Sequence, residues 1–501
     1  MKPSNSQLLF VDRLALLLFG VVLVFLFWRG LWIEPAGDDW LLLTPVREMV
    51  RETGVAGAIG QAFTYPIIDQ FYRPLALLPQ FLITDKVLLA QLLKLLVQLG
   101  FFLVVRRTAR DLGIPSPWSS VVAAIPLLHQ VFTSVLTEID LWGDQLSALA
   151  FVVLFLIALR FDNGRMGRFA YVVAMVSIAA GCVLAKEAGV TSFITPLGFA
   201  IVSYLRRNHS VVGGHVVAAS ATVGVIAVYL VIRHALGIDT QGPQEGYYSL
   251  SVGANLLTNS GLAALALLSP VNTVEVAIGP MFWKFMAALW VMGWLGIAAI
   301  GMKKSVRTKT WHLPALLFVL ALAAQGPVFF MPHLTEANFT RSLALGWLGM
   351  ALLIKGIIGT EHKRRALVIL LTVSGIWFVF DIQAVLSKTR DIEVSQAQAS
   401  RFRRELLAQV TPFYGDTLFF ALEDPGYLGY SVYRQPFLVD AREGELTHGL
   451  RDLFKKPDLR VEWFETPSTD QPDTLVADFY VKRNGQVVPA GMRLETNSRR
   501  D

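Results

Sequence analysis

Apolar runs too long for the interior of a soluble domain recur through most of the first 385 residues, and they set the fold class. A helix needs roughly 20 residues to cross a hydrocarbon core about 30 Å thick. Runs of about that length, poor in charge, occur at 10–33, 86–105, 117–134, 145–160, 169–185, 188–205, 211–232, 280–301, 312–331, 341–358 and 366–382. The chain therefore reads as an all-α polytopic membrane protein of about eleven transmembrane helices. Only 16% of the residues are charged, against about 25% in an ordinary soluble domain. Pro117, Pro196 and Pro314 lie in or near the runs, where membrane helices tolerate proline. The first run follows Lys2 and Arg13, continues through Leu31-Trp32-Ile33 and lacks a small-residue cleavage site. It reads as an uncleaved signal anchor.

The net charge of +6 could suggest a nucleic-acid partner, but the basic residues form short clusters between apolar runs. That is the pattern of cytoplasmic loops, so no nucleic acid is expected. Arg106, Arg107 and Arg110 follow the second run, Arg160, Arg165 and Arg168 the fourth, and Arg206 and Arg207 the sixth. Lys303, Lys304, Arg307 and Lys309 follow the eighth, and Lys363, Arg364 and Arg365 the tenth. An odd number of spans puts every cluster on the side of a cytoplasmic N-terminus and places the C-terminus outside. The alternation holds only if 251–269 does not cross. That stretch is read as an interfacial or re-entrant helix in a long external loop, 233–279. Cys182, the single cysteine, lies inside an apolar run, where core packing is the commoner role.

The texture changes near residue 384. Residues 391–410 have an amphipathic helical pattern. Strand-like runs follow at Thr417–Leu422, Pro436–Val439 and Leu459–Phe464, with a hairpin of Thr474–Lys482 and Gln486–Pro489 turning on Asn484-Gly485. The division is a transmembrane region, 1–385, and a small external α/β domain, 386–501. There is no internal repeat.

The external loops carry a different residue set. The first holds Asp38-Asp39-Trp40 and Tyr72-Arg73-Pro74-Leu75; the second holds His129, Glu138, Asp140 and Asp144. The third holds Lys186-Glu187, and the last holds His333, Glu336 and Arg341. Ionisable groups at span ends are costly unless paired or hydrated, so several on one side suggest a polar site at the interface. Each has a plainer reading. Asp38 or Asp39 would serve as a helix N-cap, Arg73-Pro74 as a snorkelling arginine opening a helix, and Lys186-Glu187 as an interfacial ion pair. His129, His215 and His234 show no metal-ligand spacing. There is no phosphate loop, dinucleotide fingerprint or nucleophile elbow.

Taken in order, Asp38-Asp39-Trp40, Tyr72-Arg73-Pro74-Leu75, the loop from His129 to Asp144, Ala185-Lys186-Glu187 and Arg341 resemble the GT-C membrane glycosyltransferases. The likeness covers roughly residues 10–385 and is nearest to bacterial relatives of the protein O-mannosyltransferases and of the TPR-bearing transmembrane O-mannosyltransferases. The sequence departs from them at Gln130, where relatives often have proline, at Gly143, where an arginine is common, and in lacking a TPR array.

The resemblance implies an inverting transfer of a hexosyl or pentosyl group from a polyprenyl-phosphate donor to a lipid, glycan or protein acceptor. It implies a site on the outer face of a bacterial inner membrane. Asp38 would be the general base with Asp39 supporting, and Arg73, Lys186 and Arg341 would bind the donor phosphate. Tyr72, Glu138, Asp144, Glu187 and His129 would support them. Some relatives use a divalent cation, for which Asp38 with Glu138 or Asp144 would supply oxygen ligands; the residues leave the metal undecided and imply no other cofactor. Two other readings compete. An O-antigen-type polymerase or ligase also combines many spans with external arginines, but needs no Asp-Asp pair after the first span. A transporter or lipid flippase would place charges near span midpoints, where this chain has only Lys94.

Overall fold

The computed structural model describes residues 5–32, 39–64, 66, 72–83, 87–116, 118–138, 141–238, 253–326, 336–358 and 363–410. It also describes 417–422, 450–451, 453–454, 458–465, 475–476, 479–481, 487–489 and 493–494. Up to residue 410 the described residues are all helical or connecting. In order these helices are α1 (Asn5–Phe27), α2 (Asp39–Ala62), α3 (Pro74–Ile83), α4 (Val87–Asp111), α5 (Trp118–Leu127) and α6 (Phe132–Thr137). Next come α7 (Trp142–Asp162), α8 (Arg168–Ala185), α9 (Ile194–Leu205), α10 (His209–Ala235), α11 (Ala254–Leu268) and α12 (Thr273–Ile278). The last are α13 (Met281–Arg307), α14 (His312–Ala323), α15 (Glu336–Ile358) and α16 (Lys363–Val410).

Among the described residues, eight helical segments are long and apolar enough to cross a membrane: Arg13–Trp32, Val87–Asp111, Trp142–Asp162, Arg168–Ala185, Glu187–Leu205, His209–Ala235, Met281–Arg307 and Asn338–Ile358. The chain is thus a multi-pass membrane protein, and its outer faces carry large apolar side chains such as Phe169, Val231 and Met292 exposed to the surroundings. Two expected spans are interrupted, and a third is helical throughout and continues beyond its expected end. The run 117–134 divides into α5 and α6, separated by Leu128 to Val131. The run 312–331 is helical over His312–Ala323 and turns at Gly326, whose φ of +58° suits glycine. The run 366–382 lies inside α16, 48 residues long, which at 1.5 Å per residue is about 72 Å and more than twice a bilayer core. Helix α11 has 15 residues, about 22 Å of rise, and is too short to span on its own.

Polar contacts gather at the two ends of the bundle. At one end the basic loops meet. Arg160 and Arg165, at and beyond the end of α7, reach Asp111 at the end of α4, at 3.1 and 2.9 Å. Arg206 lies 3.7 Å from Asp162, and Lys355 donates to the Leu112 carbonyl at 3.2 Å. At the other end lie the start of α3, the start of α7, the end of α8 and the start of α15. Helices α7 and α15 each begin at one end and finish at the other, so Arg160, Arg165, Arg206 and Lys355 share an end of the bundle, opposite Arg73, Asp144, Lys186 and Arg341.

Lys94, buried inside α4, is explained by its partners. Its ammonium donates to the carbonyls of Val135, at 2.8 Å, and Glu138, at the C-terminus of α6. A cation there satisfies carbonyls that no helical N–H reaches. It also lies 5.7 Å from the Trp142 ring centroid. Lys94 therefore holds the α6–α7 connection.

Beyond α16, β1 (Thr417–Leu422) pairs in parallel with β2 (Arg460–Glu465) and with β4 (Phe479–Val481), and β4 pairs antiparallel with β5 (Val487–Pro489). The register Tyr480↔Val488 and Val481↔Val487 centres the hairpin at residue 484. The expected first arm is not one strand: β3 (Leu475–Val476) pairs instead with β6 (Arg493–Leu494) in a separate ladder. The expected strand Pro436–Val439 lies outside the described residues.

Candidate active site

Five of the residues singled out in the sequence converge at the end of the bundle away from the basic loops. Helix α8 stops at Ala185, and Lys186 is extended, with φ −156° and ψ 138°. A 3-10 turn, Glu187–Thr191, follows at once. This break sends two adjacent side chains to different partners. The Lys186 ammonium donates to Asp144 Oδ2 at 2.8 Å, and Glu187 accepts from Arg73 Nε at 2.8 Å on both carboxylate oxygens. Arg73 immediately precedes α3, which Pro74 opens, since proline suits a first turn where no N–H is needed.

Asp144 stands in the first turn of α7, where the helix dipole favours a carboxylate. Its other oxygen, Oδ1, is 3.7 Å from Arg341 Nε, an ion pair too long for a hydrogen bond. Arg341, on α15, is completely buried. It donates through Nη2 to Asn338 Oδ1 at 2.9 Å and through Nε to the Asn338 carbonyl at 3.3 Å. Arg341 Nη1 and Asp144 Oδ1 are buried and take part in no hydrogen bond among the described residues. Among the described residues of the site, three cations stand against two carboxylates, an excess of one positive charge. Burial and the neighbouring Arg73 cation draw the pKa of Lys186, in the turn between two spans, below the ordinary lysine range; Asp144 opposes the shift.

Gly143 makes this geometry. A Cβ at position 143 would lie 2.5 Å from the Ala185 carbonyl oxygen. Only glycine lets the start of α7 approach the end of α8 so closely, which sets Asp144 beside Lys186. The same contact leaves no room for an arginine side chain at position 143.

The remaining expected residues fall elsewhere. Tyr72 is buried and donates to the Phe63 carbonyl at 3.0 Å, its ring packed on Tyr229; burial raises its pKa. It holds the chain ahead of Arg73. Glu138 ends α6 and offers its carbonyl to Lys94. His129 is not brought to the cluster by any described contact. It is fully buried, with Nε2 3.9 Å from Asp381 and its ring beside Trp377. Asp38 lies outside the described residues, as do His333 and Asp140; Asp39 opens α2, and its side chain, like that of Glu336, is also outside them.

Sequence reasoning missed a second buried polar group around His129. Asp381 accepts from the Gln130 backbone N–H at 3.0 Å, and the Gln130 amide donates to the Val271 carbonyl at 2.5 Å. Lys388 donates to Thr273 Oγ1 at 2.9 Å. The signal was present: Asp381 and Lys388 are seven residues apart, on one face of α16, and an acid within an apolar run is a functional candidate by default.

Among the described residues, no group of three or more His, Cys, Asp or Glu side chains could hold a metal ion. Asp144 does not suit a divalent cation, because Lys186 and Arg341 already surround it with positive charge. The donor set fits an anion better.

The chain matches no family model and no curated protein. Among solved structures it is similar to ArnT from Cupriavidus metallidurans bound to undecaprenyl phosphate. The TM-score is 0.47, the identity 15%, and 89% of each chain is covered. Likeness at that level identifies neither fold nor activity, so the functional reading rests on the site itself.

The pairing of Asp144 is testable through stability. Asp144→Leu leaves the Lys186 ammonium buried without its partner, which should cost about 3–5 kcal/mol. In Asp144→Leu/Lys186→Met both members of the 2.8 Å pair are gone, and the unfolding midpoint in detergent should recover much of the loss. A double variant no more stable than the single one would show that the pair is not coupled.

Proposed function

We propose that this protein is a GT-C-type membrane glycosyltransferase, moving a sugar from a polyprenyl-phosphate donor to a lipid, glycan or protein acceptor at the outer face of the membrane. One observation carries the reading: a fully buried arginine with an unused N–H donor sits in a net-positive cluster at the end of the bundle opposite the basic loops. A buried cation without a full set of acceptors is expensive, and a leaving phosphate would supply them. Arg341 is therefore the principal phosphate ligand in this proposal. Lys186 and Arg73 act beside it, each held in place by a carboxylate, Asp144 and Glu187.

Such a cluster stabilises the charge that develops on the phosphate oxygen as the sugar departs, an effect strengthened where water is excluded. The acceptor hydroxyl attacks the anomeric carbon, its proton passes to Asp38, with Asp39 supporting, and the bond to the phosphate oxygen breaks with inversion. A general base of this kind contributes typically about 10²–10⁴-fold in rate. The apolar helices accommodate the prenyl chain.

Purified protein incubated with a panel of polyprenyl-phosphate sugars and candidate acceptors tests the base. Asp38→Asn should lower transfer by at least about 10²-fold, with a smaller loss for Asp39→Asn. Full activity in both would remove the first loop from the mechanism.

A further inference from the structure

Asp111, at the basic end of the bundle, is surrounded by more positive charge than it can neutralise. Its side chain is only 5% exposed. Around it lie Arg165 Nη1 at 2.9 Å, Arg160 Nε at 3.1 Å and Arg107 Nε at 3.5 Å. Lys355 donates to the carbonyl of the next residue, Leu112, at 3.2 Å. A carboxylate has about four acceptor positions, whereas three guanidinium groups carry about fifteen N–H donors. The Arg107 and Arg165 side chains are 53% and 56% exposed, so the surplus donors face outward.

A second observation comes from the same helix. Leu92, Leu96, Leu103 and Arg107 fall on one face of α4, at spacings of four, seven and four residues. All three leucines are exposed on the outside of the bundle. Because α4 is a membrane span, this stripe faces hydrocarbon, and it reaches Arg107 about one turn past Leu103. From Leu92 to Arg107 the rise is about 22 Å, somewhat more than one leaflet of the core.

We propose that an anionic phospholipid docks here, its phosphate bridging Arg107 and Arg165 and one acyl chain lying along Leu103 and Leu96. Guanidinium groups pair with phosphate through two parallel hydrogen bonds, and two arginines on a shared carboxylate hold that geometry in advance. The leucine stripe selects a lipid over a free phosphate, because only a lipid has a chain to lay on it. The site lies at the far end of the bundle from the Asp144 cluster and is independent of the proposed reaction.

Delipidated full-length protein titrated with phosphatidylglycerol, phosphatidylcholine or inorganic phosphate tests this, with bound lipid counted by native mass spectrometry and unfolding midpoints followed in parallel. Phosphatidylglycerol should bind and raise the midpoint; the other two should not. Arg107→Gln/Arg165→Gln should weaken phosphatidylglycerol binding at least about tenfold. Lys303→Gln/Lys309→Gln, which removes the same charge from the same end, should stay within about twofold of wild type. If the first pair proves unstable, Arg165→Gln, in the turn beyond α7, carries the test with an expected loss of about threefold. Equal binding by the two double variants, an undiminished Arg165→Gln, or an equal response to phosphatidylcholine or inorganic phosphate would overturn the proposal.

Discussion

Arg341→Gln should reduce sugar transfer by about 10²–10³-fold, the usual effect of removing one donor from a preorganised site for developing negative charge. Glutamine keeps part of the side-chain volume and a hydrogen-bonding amide, so Asn338 retains a partner. It discards the charge and the unused Nη1 donor. The loss should appear in kcat and in donor KM alike, because the donor's phosphate is charged before and after departure. Stability should change less. Arg341 lies 3.7 Å from Asp144, whose stronger bond is to Lys186 at 2.8 Å. Transfer assays over a range of donor concentrations, with an unfolding midpoint on each preparation, separate the two effects. A variant within a few-fold of wild type would show that Arg341 touches no reacting group.

Gly143→Ala should do damage out of proportion to one methyl group. The added Cβ would meet the Ala185 carbonyl oxygen at 2.5 Å, and that atom is backbone, so it cannot rotate away. Either α7 or the end of α8 must move. Overpacking of this kind typically costs about 1–3 kcal/mol. The functional cost should be larger, since a displacement of about 1 Å in a positioning element can cost about 10²-fold. Gly143 contacts no substrate in the proposed mechanism, so loss of transfer with a folded protein would report positioning of Asp144 against Lys186. Gly164→Ala serves as the control for strain alone. Its φ is +68° but nothing lies within 4 Å of its Cβ position, and it should lose stability while keeping transfer. Equal activity in Gly143→Ala and wild type would mean that the close approach is not needed.

Much of the bundle was legible because span length and charge placement are local properties. The hydrophobic runs gave the helices, and the basic clusters gave the ends that meet at Asp111 and Asp162. What local pattern cannot report is where a helix breaks. Leu128 to Val131 and Gly326 interrupt otherwise apolar runs, and the first break takes partners from distant segments, Asp381 and Val271. The candidate site was legible as a set of residue types and not as a geometry. Lys186 and Glu187 are adjacent in sequence, which suggests a pair with each other. The extended backbone at Lys186 instead gives each a partner from another helix, 42 and 114 residues away. Gly143 looked like a missing arginine, yet its lack of a side chain is what the packing needs. Asp381 and Lys388 lie at and just beyond the end of the last apolar run, outside the external loops that carry the other ionisable residues. Their seven-residue spacing at the end of the last apolar run was visible in the sequence.

If the Arg341 cluster holds a prenyl-linked phosphate, direct binding will report it without the correct sugar or acceptor. Polyprenyl phosphate should bind the purified wild-type protein and lose affinity at least about tenfold in Arg341→Gln, as expected when a charge-assisted contact to phosphate is removed. Unchanged affinity in that variant, with the protein folded, would contradict the account.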